Sequence, residues 1–119
     1  MRVAAWQMFG SLFFGAVNKL EELLDPREGH PEIVILDMTR LIQLDTTGLE
    51  GLENLLDKLK KRGCTLIVSG LNSQPGSLLY RSGFIDHLGD DNVCPDLSGA
   101  LKRAYILLPN LMGGSDENY

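Results

Sequence analysis

Two nearly unbroken runs of aliphatic residues, Ile33-Val34-Ile35-Leu36 and Thr65-Leu66-Ile67-Val68, set the frame of this chain. Runs of this kind, rich in β-branched side chains, predict strands buried on both faces of a sheet, the first ending at Asp37. Between them Leu49, Leu52, Leu55, Leu56 and Leu59 are spaced three, three, one and three apart. That spacing gathers all five on one side of a helix and leaves the charges on the other. Strand, helix and strand in about thirty residues is the length that a right-handed parallel crossover requires.

The same patterns extend outward. Val3 to Met8 reads as a further strand, and Phe13, Val17, Leu20 and Leu24 form a helical stripe that Asp25-Pro26 brings to an end, which predicts a helix over Ser11 to Leu24. Downstream, Gln74 to Ser82 is expected to be a short helix opened by Ser73 and closed by Gly83, where a left-handed residue is needed. Val93-Cys94 fits a last brief strand. Leu97, Ala100, Leu101 and Ala104 then mark a final helix capped by Asp96, with Pro109 limiting its run.

Length and composition narrow the class. At 119 residues, with 44% hydrophobic and 23% charged, the chain suits one hydrophobic core and is too short for two ordinary domains. The expected division is a domain over 1–109 and a polar, disordered tail over 110–119. A net charge of -5 disfavours nucleic acid as a partner, since the basic cluster at Lys58, Lys60, Lys61 and Arg62 is diluted by nearby acids. Cys64 and Cys94 lack the companions a zinc site needs and are expected to be buried or half-buried thiols. The longest apolar stretch, Val3 to Val17, is broken by Gln7 and Ser11 and falls short of the roughly 20 residues that span a membrane. The chain by itself is therefore expected to be soluble.

Several residues are candidates for chemistry. Thr47 and Glu50, three apart at the start of the leucine-faced helix, form a capping-box pattern that accounts for the threonine. A hydroxyl there is also placed to receive a phosphate, whose charge the helix dipole would favour. Both readings stand at this point. Ser69-Gly70-Leu71-Asn72-Ser73 follows a central strand at its carboxyl end, where open α/β sheets meet ligands, and it is equally a polar turn. His30 and His87 have no nucleophile pattern around them, and Asp37 and Asp45 are more simply backbone-bonding groups than a catalytic pair. Catalysis is not expected. Phe13 and Phe14 suit the core, with a docking role if one ring is left exposed.

Four segments, in this order and spacing, resemble a STAS domain: Gly10-Ser11-Leu12-Phe13-Phe14-Gly15-Ala16, Val34-Ile35-Leu36-Asp37, Leu44-Asp45-Thr46-Thr47-Gly48-Leu49 and Tyr80-Arg81-Ser82-Gly83-Phe84. They cover most of residues 3 to 105, and the Leu-Phe-Phe-Gly-Ala stretch is similar to the STAS tails of SulP sulfate and anion transporters. The resemblance implies an α/β fold with a mixed four- or five-stranded sheet and about four helices mainly on one side. It implies a regulatory, protein-interaction role at the cytoplasmic face of the membrane, with the chain opening on the second, interior strand of a longer domain. The implied partners are a transporter membrane domain in the same polypeptide or a soluble regulatory protein, with at most a weak nucleotide site and no cofactor. Thr47, with Thr46 beside it, is the implied regulatory position, and Asp45, Gly48, Ser69, Gly70, Leu71 and Asn72 the implied interaction loops. The alternative within the same family is a free-standing anti-sigma-factor antagonist switched by phosphorylation at Thr47.

Overall fold

In a computed structural model, residues 3–10 and 32–111 are described. The expected helix over Ser11 to Leu24, the Phe13-Phe14 pair, His30 and the tail beyond Leu111 lie outside them. Four strands, β1 (Val3–Gly10), β2 (Ile33–Leu41), β3 (Thr65–Ser69) and β4 (Val93–Cys94), form one sheet in that order. Every pairing is parallel. The resemblance implied a mixed sheet; among the described residues it is parallel because each described connection passes through helix before the next strand. These connections carry α1 (Thr46–Lys61) between β2 and β3, then α2 (Ser73–Arg81), α3 (Phe84–Leu88) and a short 3-10 turn between β3 and β4, with α4 (Leu97–Leu111) last.

The aliphatic runs do what their composition requires. Ile33, Val34, Ile35 and Leu36 are all fully buried, because both faces of the sheet are covered. Val34, Leu36, Leu66 and Val68 meet the five leucines of α1, together with Leu79, Phe84, Ile85 and Leu88 from α2 and α3. On the opposite face Ile33, Ile35 and Ile67 meet Ala100 and Ala104 of α4, small side chains that let this helix lie close to the sheet. Of the described helices, α1, α2 and α3 therefore lie on one side of the sheet and α4 on the other.

Element ends show which local rules prevailed. Gly83 follows the last turn of α2 with a φ of 87°, the left-handed position the sequence assigned to it. Asp96 caps α4 through its carboxylate, which accepts from the Gly99 N–H at 2.8 Å. Ser73 does not cap α2; it is the first helical residue, and Asn72 holds the cap position, its carbonyl accepting from the Gly76 N–H at 2.8 Å while its side chain makes no cap bond. Helix α4 continues through Pro109 to Leu111, since a missing N–H so near the end removes only one bond of the last turn.

A one-residue irregularity shapes the carboxyl end of the sheet. Gln7 pairs with Asp37 but Phe9 pairs with Arg40, so two residues of β1 run beside three of β2. The extra residue reverses the alternation of β2. Val34, Leu36 and Met38 point into the α1 face, yet the next residue to do so is Leu41. Thr39 and Arg40 are turned out to solvent.

Candidate functional site

The site is the rim formed where β2 and β3 end. Register places Gln7, Asp37 and Ser69 in one row across three strands. The Asp37 carboxylate lies at the centre of that row, only 5% exposed. It accepts from Gln7 Nε2 at 2.9 Å, Thr39 Oγ1 at 2.6 Å, Thr39 N at 3.3 Å and Ser69 Oγ at 3.2 Å. Burial alone would raise the pKa of this group, but the bonds from Thr39, Gln7 and Ser69 outweigh it and hold the carboxyl below the ordinary aspartate value. Asp37 was expected to bond backbone at a strand end; it lies inside β2 and is held chiefly by side chains.

Two side chains at the start of α2, from its cap residue Asn72 and from Gln74 in its first turn, fasten the loop that leads from β2 into α1. Asn72 Nδ2 donates to the carbonyls of Thr39 and Leu41, both at 2.8 Å. Gln74 grips Leu44 twice, its Oε1 accepting from the Leu44 N–H at 2.7 Å and its Nε2 donating to the Leu44 carbonyl at 3.0 Å. The segment that carries Asp45, Thr46 and Thr47 is thus held to α2 by side-chain bonds across about thirty residues of sequence. Between these anchors lies a shallow groove lined by Thr39, Arg40, Ile42, Gln43, Ser73 and Gln74. Ile42 stands in it 65% exposed.

The cap of α1 differs from the sequence expectation. Asp45, not Thr47, occupies the cap position, and its Oδ1 accepts from the Gly48 N–H at 2.7 Å. The capping-box pattern placed the cap two residues late because Asp45 satisfies the same kind of amide first. Thr46 and Thr47 fall in the first turn and are exposed, and the Thr47 hydroxyl takes no part in the cap. Asp45→Ala is expected to lower stability by about 1 kcal/mol, while Thr47→Ala changes it by less than about 0.5 kcal/mol. Urea denaturation of the two variants measures both.

The remaining positions divide by burial. Asn72 is exposed with Asp45, Thr46 and Thr47; Gly70 and Leu71 are half-buried; Ser69 and Gly48 are buried behind the rim. The sequence reading missed Thr39, Arg40, Ile42, Gln43 and Gln74. An apolar Ile42 between Leu41 and Gln43 was the one local signal, whereas the clamp by Gln74 leaves none. Elsewhere, His87 lies exposed in α3 and its carbonyl accepts from Lys60 Nζ at 2.6 Å. Cys64 is buried and Cys94 half-buried, as expected, and burial pushes both thiols up.

The STAS domain model matches residues 3–100. A putative sulfate transporter of Bacillus subtilis (strain 168), YvdB, is 33% identical over 88 residues, 73% of this chain and 17% of that protein. The chain thus spans about a sixth of the length of this relative. A sulfate transporter family protein from Wolinella succinogenes has a solved structure with a TM-score of 0.81 and 34% identity, covering 89% of this chain and 87% of its own. The SulP transporter STAS domain from Vibrio cholerae superposes with a TM-score of 0.84 at 29% identity, over 92% of this chain and 85% of its own. These relatives do not favour the anti-sigma-factor antagonist alternative. The family match over residues 3–100 and the superposition of the sheet and its helices on these solved domains show that the chain belongs to the STAS domain family and is related to the STAS domains of SulP sulfate transporters.

Proposed function

We propose that this chain is the cytoplasmic regulatory STAS domain of a SulP-type transporter for sulfate or another anion, and that it acts by docking and not by catalysis. The observation that carries the reading is the rim: a loop clamped by Asn72 and Gln74 that presents exposed Ile42 beside Arg40 and Gln43 and leads into α1. An apolar side chain held rigidly among polar ones is the anatomy of a contact point, because little conformational entropy is lost when a partner covers it. The candidate catalytic groups are separately engaged, with Asp37 buried among its donors and Asp45 capping α1. Among the described residues no helix is long and apolar enough to cross a membrane, which fits a domain whose transporter partner lies elsewhere, in the same polypeptide or another.

Sulfate uptake by cells that carry the chain in its native gene setting tests this. Ile42→Asp is expected to lower uptake severalfold while the isolated chain keeps its circular dichroism and unfolding midpoint. Unchanged uptake with this variant would remove the docking reading.

Thr47 is the proposed point of regulation within the rim. The residue is exposed and its hydroxyl lies outside the cap, and a phosphate there would add negative charge in the first turn of α1, two residues after Asp45, while remaining tolerable to the helix N-terminus. Phosphopeptide mapping of the chain isolated from its own cells, with and without sulfate, is expected to find the modification at Thr47. Its absence in both conditions would leave Thr47 as a contact residue alone.

A further inference from the structure

Of the six large hydrophobic side chains that are exposed among the described residues, four belong to α4: Leu97, Leu101, Tyr105 and Ile106, at 38%, 48%, 80% and 63% exposure. The helix already buries Ala100 and Ala104 against the sheet, so these four lie on the part of its surface turned away from the core. Leu97, Leu101 and Tyr105 recur every four residues and form a ridge along the helix. With Ser98, Lys102 and Ile106 they line a shallow apolar groove whose charged member is Lys102. A surface helix with this much exposed apolar area on its outer side marks an interaction surface.

We propose that the outer face of α4 is a second docking site, opposite the face that carries α1, and that its occupant is an apolar protein helix bearing a carboxylate at the level of Lys102. Charge selects among the occupants. In a symmetric antiparallel pair of α4 helices, a two-fold axis through the middle of the stripe would bring Lys102 against its own copy, so a second copy of the chain is disfavoured. An anionic lipid surface is held by clusters of about four or more basic residues, and the groove offers the single Lys102. An apolar helix packs its own ridge beside Leu97, Leu101 and Tyr105, and an acidic residue on it pairs with the lysine.

The site is separate from the rim, and so is its test. Two synthetic amphipathic helical peptides are used, identical in their leucine stripe and differing by Glu or Lys at the centre, with the 119-residue chain as receptor. Fluorescence anisotropy is expected to show the Glu peptide binding about tenfold tighter than the Lys peptide. Lys102→Glu reverses that order, Ile106→Ser weakens both peptides severalfold, and Ile42→Asp changes neither. NMR shift changes concentrate on α4. No binding, equal binding with no reversal in Lys102→Glu, or shifts located elsewhere would overturn the proposal. Sedimentation showing a dimer that Ile106→Ser dissolves would assign the face to a second copy, and binding to phosphatidylglycerol vesicles lost in the same variant would assign it to lipid; either result also overturns it.

Discussion

Gly70→Ala is expected to lower stability by about 3 kcal/mol, far more than the same exchange at Gly63. Both glycines adopt left-handed backbone, with φ of 70° at Gly70 and 75° at Gly63. A side chain in that conformation costs roughly 1–2 kcal/mol wherever it occurs. The surroundings separate the two positions. A Cβ at Gly63 meets nothing within 4 Å, whereas at Gly70 it would collide with the Thr39 hydroxyl and lie 3.2 Å from Asp37 Oδ1. Thr39 would have to abandon its 2.6 Å bond to Asp37, a bond to a charged group worth about 1.5–3 kcal/mol. Urea unfolding of the two variants with unchanged m-values is the measurement. Equal losses would mean that backbone strain alone decides the outcome and that Thr39 yields freely.

Asp37→Ala is expected to cost about 2–4 kcal/mol, because it removes the common acceptor of Gln7, Thr39 and Ser69 and leaves the fully buried Ser69 hydroxyl without it. Asp37→Asn, which keeps the shape but turns one acceptor into a donor facing Gln7, should fall between the variant and the parent. The carboxylate also predicts a pH dependence. Its folded-state pKa is lowered, so the unfolded chain takes up a proton at a higher pH than the folded one. The stabilisation is therefore complete above the unfolded value, near pH 4, and is lost as the pH falls through the folded value. Urea midpoints measured from neutral pH downward should decline below about pH 4 in the parent, less steeply in Asp37→Asn. Parallel declines in the two would show that other carboxylates govern the acid limb.

These two residues also mark how far the sequence could be read. The central crossover was legible because buried parallel strands and a one-faced helix leave strong periodic signals: the run at Ile33 to Leu36, the leucines from Leu49 to Leu59, and the run ending at Val68 all occupy their expected elements. Gly83 and Asp96 were legible as well, since a left-handed glycine and an aspartate cap act on backbone only a few residues away. The cap of α1 was misplaced by two residues, because Asp45, Thr46 and Thr47 can all accept from a helix N-terminus and composition does not rank them.

What the sequence determined by itself was the order and type of the four strands and of α1, α2 and α4, and the position of the Asp45 to Leu49 motif at the front of a helix, because each depends on interactions within a few residues; the single turn of α3, too short to leave a period, was not read. Tertiary structure alone decided the rim. The extra residue in β2 that turns Thr39 and Arg40 outward is defined only against β1, and the Asp37 network joins three strands. Asn72 and Gln74 bind a loop about thirty residues away, and the outer face of α4 is defined only once the sheet has taken Ala100 and Ala104. Hydrogen bonds and burial between distant segments leave no period in a single sequence, because their partners are chosen by the packed sheet.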